Sequence, residues 1–353
     1  MTGRARAWAS VDSADTATYR DVVTAHLAAA FRAIGLDRDP TTSLMGDWAD
    51  QPVTEFDNHH SFAANDGSPV EFSFAMTRSG AEARMGFEPL DTPARLTEHH
   101  FVQQHTGDTT RLHLIEDLFA PAGGLFSIFC ATAFRAEGDP LIKVYLNPSA
   151  GGRPHQAVAE AMDRLGLTAP WARLDDRLGT GWSDSPHREI AVFALDLDAS
   201  PEARVKLYLR HSGCEPTEVE QVAALAEDHQ PDLFTKILTR VYGDSTTGLA
   251  KAPMTCLAFR GSRPQPASAT LYCPLDPNLG NDAEAATRVL DLLEMSGIAP
   301  EPFHALATAI SGPDLTRGRR LSWLSYKQPA DPVVTIYAGL DGSPAGPNPS
   351  NAR

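Results

Sequence analysis

Five times along this chain two short runs of alternating apolar and polar residues flank a polar turn, and between these units the apolar positions recur at helical spacing. The paired runs occupy residues 71–90, 127–148, 189–211, 254–275 and 321–340. Each predicts a β-hairpin, because strand-forming runs of period two enclose turns built from Gly, Pro, Asp and Ser. Aligned on their second strands, the hairpins place Gly86, Tyr145, Tyr208, Tyr272 and Tyr337 at one position, 59 to 65 residues apart. A near-constant period of this length marks repeated supersecondary units.

The intervening segments read as helices, commonly two per repeat. Val22, Val23, Leu27, Phe31 and Ile34 share a helical face that Gly35 ends. Pro216 and Thr217 with Glu220 read as a capping box opening one helix, and residues 232–243 form a second that stops at Gly243. Asn281 with Glu284 opens another, closed by Gly297 and Pro300, before an amphipathic run from Phe303 to Ile310. The order helix, helix, strand, strand thus recurs five times. Ten strongly twisted strands tend to close on themselves.

Strand parity says which face is which. Ile142, Val144 and Leu146 oppose Lys143 and Tyr145; Val205, Leu207 and Leu209 oppose Arg204, Lys206 and Tyr208. Leu271 and Cys273 likewise oppose Thr270 and Tyr272, and Val334 and Ile336 oppose Thr335 and Tyr337. The apolar face needs a cover, which the amphipathic helices supply, so the polar, tyrosine-bearing face turns inward. The expected fold is an α/β (α+β) ten-stranded antiparallel β-barrel with a ring of helices outside, five ααββ repeats, and a solvent-filled lumen of ligand size. Residues 1–340 form one domain in this reading, and the Pro/Gly-rich segment 341–353 a disordered tail.

A formal charge of −15 argues against nucleic acid or an anionic membrane surface as partner. Cys130, Cys214, Cys256 and Cys273 form no C-x-x-C pair and read as core thiols in a reducing compartment. The basic N-terminal stretch is followed by no apolar signal-type region, and no run approaches membrane-spanning length. A cytoplasmic protein with a small-molecule ligand is expected.

The predicted lumen gathers Arg84, Lys143, Arg204 and Lys206 with Tyr145, Tyr208, Tyr272 and Tyr337. The chain has five lysines, and two of them, Lys143 and Lys206, occupy the same repeat position. Converging cations without matching carboxylates on those strands are costly to enclose unless an anion enters. Arginine forks and lysine point charges suit a diphosphate. A tyrosine ring can stabilise a nearby carbocation by about 0.5–2 kcal/mol, so the combination suggests ionisation of an allylic diphosphate. An aspartate-rich metal motif is absent, since Asp175 and Asp176 are followed by Arg177, Leu178 and Gly179. The phosphate-binding, zinc-protease and serine-hydrolase signatures are absent too. The pairs His59, His60 and His99, His100 are assigned to surface or capping roles.

The segment DGSPVEFS (66–73), the run RMGFEP (84–89), Lys143-x-Tyr145 followed by Pro148, Arg204-x-Lys206-x-Tyr208 and the late tyrosines resemble the dimethylallyltryptophan synthase family. These are aromatic prenyltransferases with the ααββ barrel, and the resemblance covers about residues 60–340. Compact length and Arg-rich, Lys-poor composition look more like its bacterial branch. The resemblance implies a role in secondary metabolism such as alkaloid biosynthesis. It implies transfer of dimethylallyl from dimethylallyl diphosphate to the indole ring of tryptophan or a derivative, with no cofactor or obligatory metal, by a monomer or homodimer. Residue by residue it implies that Glu71 accepts the indole N–H, and that Arg84, Lys143, Arg204 and Lys206 bind diphosphate. Tyr145, Tyr208, Tyr272 and Tyr337 would bind diphosphate and shield the cation, joined in the shield by Tyr326.

Two positions depart from that pattern: Thr270 stands where many fungal members have glutamine, and residues 126–135 lack the lysine that C4-transferring members use as base. Arg135 is a poor substitute because its guanidinium stays protonated. Attack at another ring carbon, or at the indole nitrogen with Glu71 as base, is therefore open. A phenolic or naphtholic acceptor on the same fold, and a non-catalytic barrel carrying an isoprenoid or anionic lipid, are the alternatives.

Overall fold

The computed structural model describes residues 17–40, 42–53, 61, 63–90, 95–105, 108–119, 128–134, 141–327 and 331–340. The segments around His59 and His60, Arg135 and 341–353 lie outside them. The strands are β1 (Val70–Thr77), β2 (Gly80–Phe87), β3 (Ile128–Phe134), β4 (Leu141–Leu146), β5 (Arg188–Asp196), β6 (Val205–His211), β7 (Met254–Phe259), β8 (Ser268–Pro274), β9 (Leu321–Lys327) and β10 (Val333–Gly339). Each pairs antiparallel with its neighbours in sequence, and β1 pairs with β10, Phe74 opposite Ile336, to close the barrel.

The helices are α1 (Tyr19–Ile34), α2 (His100–His105), α3 (Thr110–His113), α4 (Pro154–Arg164), α5 (Thr168–Leu178), α6 (Pro216–Ala223), α7 (Leu233–Tyr242), α8 (Asp282–Ser296) and α9 (Glu301–Ser311). Among the described residues two precede each hairpin except the first, where α1 is followed by short 3-10 turns at Ser43–Met45 and Asp47–Asp50. Contact between α1 and α9 joins the two ends of the helical layer.

The expected face assignment holds. Ile142, Val144, Leu146, Val205, Leu207, Leu209, Leu271, Val334 and Ile336 all belong to one apolar core shared with the helices. Burying each such side chain contributes about 1.5–3 kcal/mol. A separate cluster, Ala194, Tyr208 and Cys256 with Tyr145, Val192 and Tyr272, lies on the other side of the wall. One barrel sheet thus separates two differently built interiors.

Local signals explain most helix ends. Gly35 takes the left-handed conformation at φ 70° and closes α1. Asn281 accepts the Glu284 N–H at 3.0 Å and opens α8. At α6 the expected capping box is displaced. Glu215 is the N-cap and its N–H donates to Glu218 at 2.7 Å. Glu220 instead accepts the Thr235 N–H at 2.8 Å and meets His229 at 2.5 Å, so it caps the next helix, α7.

Because every hairpin turn joins an odd strand to the following even one, all five turns gather at one end of the barrel. The helix-bearing crossings gather at the other. The turn half and the crossing half of the lumen are consequently built from different kinds of segment.

Candidate active site

In the turn half, Arg84 on β2, Lys143 on β4, Lys206 on β6 and Arg204 just before β6 share the inner face. Lys143 lies opposite Asp196 at the end of β5, and Lys206 opposite Ala194. The cations are not without carboxylates, contrary to expectation. Asp196 accepts from Arg204 Nε at 2.5 Å and from Lys206 Nζ at 2.6 Å, and Glu82 accepts from Arg84 Nε at 2.5 Å. Two carboxylates thus face four cations, which leaves the set net positive when all are ionised. Burial opposes ionisation of Asp196, but Lys206 and Arg204 outweigh it and hold the carboxyl well below its usual range. Burial also pushes the Lys206 ammonium down to about 8, Arg204 adding to the effect. Lys143 has no ion pair among the described residues. Burial, then repulsion from Arg84, Lys206 and Arg204, drives its pKa well below the ordinary lysine value. A further cation, Lys327 on β9, sits opposite Thr270 and feels Arg204.

Next along the lumen the tyrosines form a continuous belt. Ring centroids lie 6.1 Å apart for Tyr145 and Tyr208, 5.5 Å for Tyr208 and Tyr272, and 5.9 Å for Tyr272 and Tyr337. The first repeat, which lacks the tyrosine, is completed from β3, where Phe129 lies 4.6 Å from Tyr145. Gly86 permits this, because a Cβ there would meet the Phe129 ring at 2.7 Å. Burial raises the phenol pKa at each of the four tyrosines, so they stay neutral.

Tyr326 does not join the belt. It pairs with Val334 and Leu271, both on the outer face, and packs in the core shared with the helices, near Ser296 of α8. A bulge opposite Tyr337 and Ala338 shifts the alternation of β9, so Trp323, Ser325 and Lys327 face inward instead.

In the crossing half, Glu71 at the start of β1 lies between Gly86 and Gly339 on its two neighbouring strands. Ser322 Oγ donates to its Oε1 at 3.3 Å. Burial raises the Glu71 carboxyl to about 8, offset in part by Lys251 and Ser322. Lys251, in the segment before β7, donates to Asn65 Oδ1, and its Nζ lies 4.6 Å from the Trp323 ring centroid. Trp323 Nε1 donates to the same Asn65 oxygen at 3.0 Å. Burial, then Arg210, lowers the Lys251 ammonium to about 8 against the attraction of Glu71 and Asp276. Sequence patterning missed Asn65, Lys251 and Trp323, since two of them lie in connecting segments where period two says nothing.

All four cysteines are buried, Cys256 among the inward-facing group. His99 takes the capping role, closing the 3-10 turn Leu96–Glu98 with its N–H on the Leu96 carbonyl, but it is buried beside Phe101 and is not a surface residue. Among the described residues no three His, Cys, Asp or Glu side chains are grouped to hold a metal ion, and no helix is long and apolar enough to cross a membrane.

The fold that carries this site is shared with proteins of known structure. A 6-dimethylallyl tryptophan synthase is 27% identical, with a TM-score of 0.84 over 94% of this chain and 99% of its own. The 6-dimethylallyltryptophan synthase from Micromonospora olivasterospora, solved with DMASPP and Trp, is 26% identical, with a TM-score of 0.81 over 94% and 100%. The 5-dimethylallyltryptophan synthase from Streptomyces coelicolor, 24% identical, shares the fold with a TM-score of 0.78 over 93% and 99%. The family model for tryptophan dimethylallyltransferase matches residues 39–242, more than half of the chain. By that match and by its ten-stranded barrel, the chain belongs to the tryptophan dimethylallyltransferase family of aromatic prenyltransferases.

Proposed function

We propose that this protein transfers a dimethylallyl group from dimethylallyl diphosphate to a carbon on the six-membered ring of tryptophan. The observation that carries the reading is the order along the lumen: cations, then an aromatic belt, then a half-buried carboxylate. An allylic diphosphate needs that order, with an anion at one end and a developing carbocation facing π-systems. The attack on a benzenoid carbon is supported by the names of two relatives, 27% and 26% identical.

In this reading Arg84, Lys143, Arg204 and Lys206 take the diphosphate, assisted by the neutral hydroxyls of Tyr145, Tyr208, Tyr272 and Tyr337. As the C–O bond breaks, negative charge collects on the leaving diphosphate, where preorganised cations stabilise it most. The belt shields the allyl cation from water through its π-faces. Glu71 accepts the indole N–H, which orients the ring and raises its electron density. The carboxylate is the better acceptor, and a bound indole N–H favours ionisation of a group that burial otherwise keeps protonated. The cations perform the charge stabilisation that a metal would otherwise supply, and no metal is required.

The test is incubation of the pure protein with dimethylallyl diphosphate and tryptophan, with and without EDTA, followed by NMR of the product. Equal yields of a ring-prenylated tryptophan are expected. A product from phenols but not from tryptophan overturns the acceptor assignment, and loss of turnover in EDTA overturns metal independence.

A further inference from the structure

Attack at a ring carbon leaves an arenium ion whose C–H proton must go to a base. The proposed role of Glu71 commits its carboxylate to the indole N–H. In the crossing half, Glu71 feels Lys251 and Asp66, and Lys251 in turn feels Arg210 and Asp276. Arg210 pairs with Glu189 at 2.7 Å, and a guanidinium is no base. Asp276 is held by Arg319 at 3.0 Å. Asp66 fills the inner face at Gly339, beside Glu71, where its charge opposes that of Glu71 and its Oδ1 accepts the Ser68 N–H at 3.0 Å.

We propose that Lys251 is the catalytic base that removes the ring proton after prenyl transfer. It is the amine at the Glu71 end of the lumen, and it is held there from two sides. Its Nζ is anchored on Asn65 and over the Trp323 ring, and Asn65 in turn holds Trp323, so the amine has a defined position. The segment that carries it is set by Asn278, which accepts the Lys251 N–H at 3.1 Å and donates to the Lys251 carbonyl at 2.8 Å. The proposal rests on reading the crossing half as the acceptor site.

The step balances without a further reactant. The allylic C–O bond breaks with its electron pair on diphosphate, and the ring carbon supplies the pair for the new C–C bond. The C–H pair then returns to the ring as the proton passes to the lone pair of neutral Nζ, and the resulting ammonium releases that proton to water. A neutral amine is accessible because burial and Arg210 bring Lys251 to about 8, with Glu71 and Asp276 pulling the other way. Such an amine supplies the base that residues 126–135 lack.

The experiment compares wild type, Lys251→Met and Lys251→Arg on tryptophan with protium or deuterium on the benzenoid ring. Both variants are expected to lose about 100-fold in kcat. Both should also gain a primary isotope effect that is small in the wild type, while affinity for inorganic diphosphate stays unchanged. Arginine keeps the cation but cannot take a proton, so recovery of turnover in Lys251→Arg overturns the proposal. So does a rise in KM for tryptophan at unchanged kcat without an isotope effect, which would make Lys251 an acceptor anchor. Wild-type turnover on tryptophan, measured in the same series, separates failure of this step from failure of the acceptor assignment.

Discussion

The two halves of the lumen solve the problem of enclosing charge in opposite ways. The turn half carries its own counterions: Asp196 spans Arg204 and Lys206, and Glu82 holds Arg84. The crossing half instead sets one carboxyl, Glu71, and one amine, Lys251, where burial brings both to about 8. In the first, Arg84, Arg204 and Asp196 are held ionised, and an arriving anion favours charge on Lys206 and Lys143 as well; the second sits at the balance point of proton transfer. Catalytic groups are most useful at that balance point, and electrostatic clamps are most useful when charged in advance.

The comparison breaks most visibly at Lys206. Lys206→Met should lower kcat by about 10²–10³-fold and weaken inorganic diphosphate, because a preorganised cation is lost where charge develops. Tryptophan affinity should be unaffected. Steady-state kinetics with calorimetric titration of each ligand checks this, and weakened tryptophan alone would show that the halves are not separate.

Asp196→Ala tests whether the turn half is held together by its internal carboxylate. It leaves Arg204 and Lys206 without their partner, and breaking a buried pair in this way costs about 3–5 kcal/mol. Thermal melts should show the loss, and saturating diphosphate should restore much of it by taking the place of the missing anion. A melt insensitive to diphosphate would mean that Asp196 is structural glue and not a stand-in for ligand.

For the crossing half, Glu71→Gln should cost about 100-fold in kcat and leave diphosphate affinity intact. The two halves also titrate in opposite senses. As pH falls below about 8 Glu71 takes up a proton and acceptor activation declines, whereas as pH rises above about 8 Lys206 loses its charge and diphosphate binding weakens. The profile of kcat/KM should therefore be bell-shaped around pH 8, falling at least about tenfold per unit on each side. Lys251 also takes up a proton on the acid side, so Glu71→Gln should make the acid limb shallower without abolishing it and leave the alkaline one. An unchanged acid limb would assign it elsewhere.

The same contrast explains what the chain reveals unaided. Period two is local, so the hairpins, the outer apolar face and the four tyrosines were legible from alternation alone. Two bulges defeat that reading. Counted from Ile190, Asp196 falls on the outer face, but the irregularity between Ile190 and Val192 turns it inward against Arg204. Counted from Leu321, Tyr326 falls inside, but the bulge beside Tyr337 turns it out. Phe129 was hidden differently: it fills the vacancy of one repeat from the next strand, which only the register reveals. Lys251 and Asn65 come from connecting segments brought together by closure of the barrel.

Tyr326 offers the smallest effect and a sharp control. It is almost fully buried between β9 and α8, in the core outside the lumen. Removing its hydroxyl deletes a contact with Ser296, whose Oγ keeps its own bond to the Leu292 carbonyl at 2.7 Å. The loss of one such hydrogen bond is worth about 1 kcal/mol, which lowers the melting temperature by roughly 2 °C in a chain of this size. Turnover of Tyr326→Phe should stay within about twofold of wild type, because the ring faces helices and not substrate. Tyr337→Phe, which removes a hydroxyl 3.5 Å from Ser325 Oγ inside the belt, should affect turnover more than stability. If Tyr326→Phe instead slows turnover as much as Tyr337→Phe does, the wall between the two interiors is not the functional boundary that the register draws.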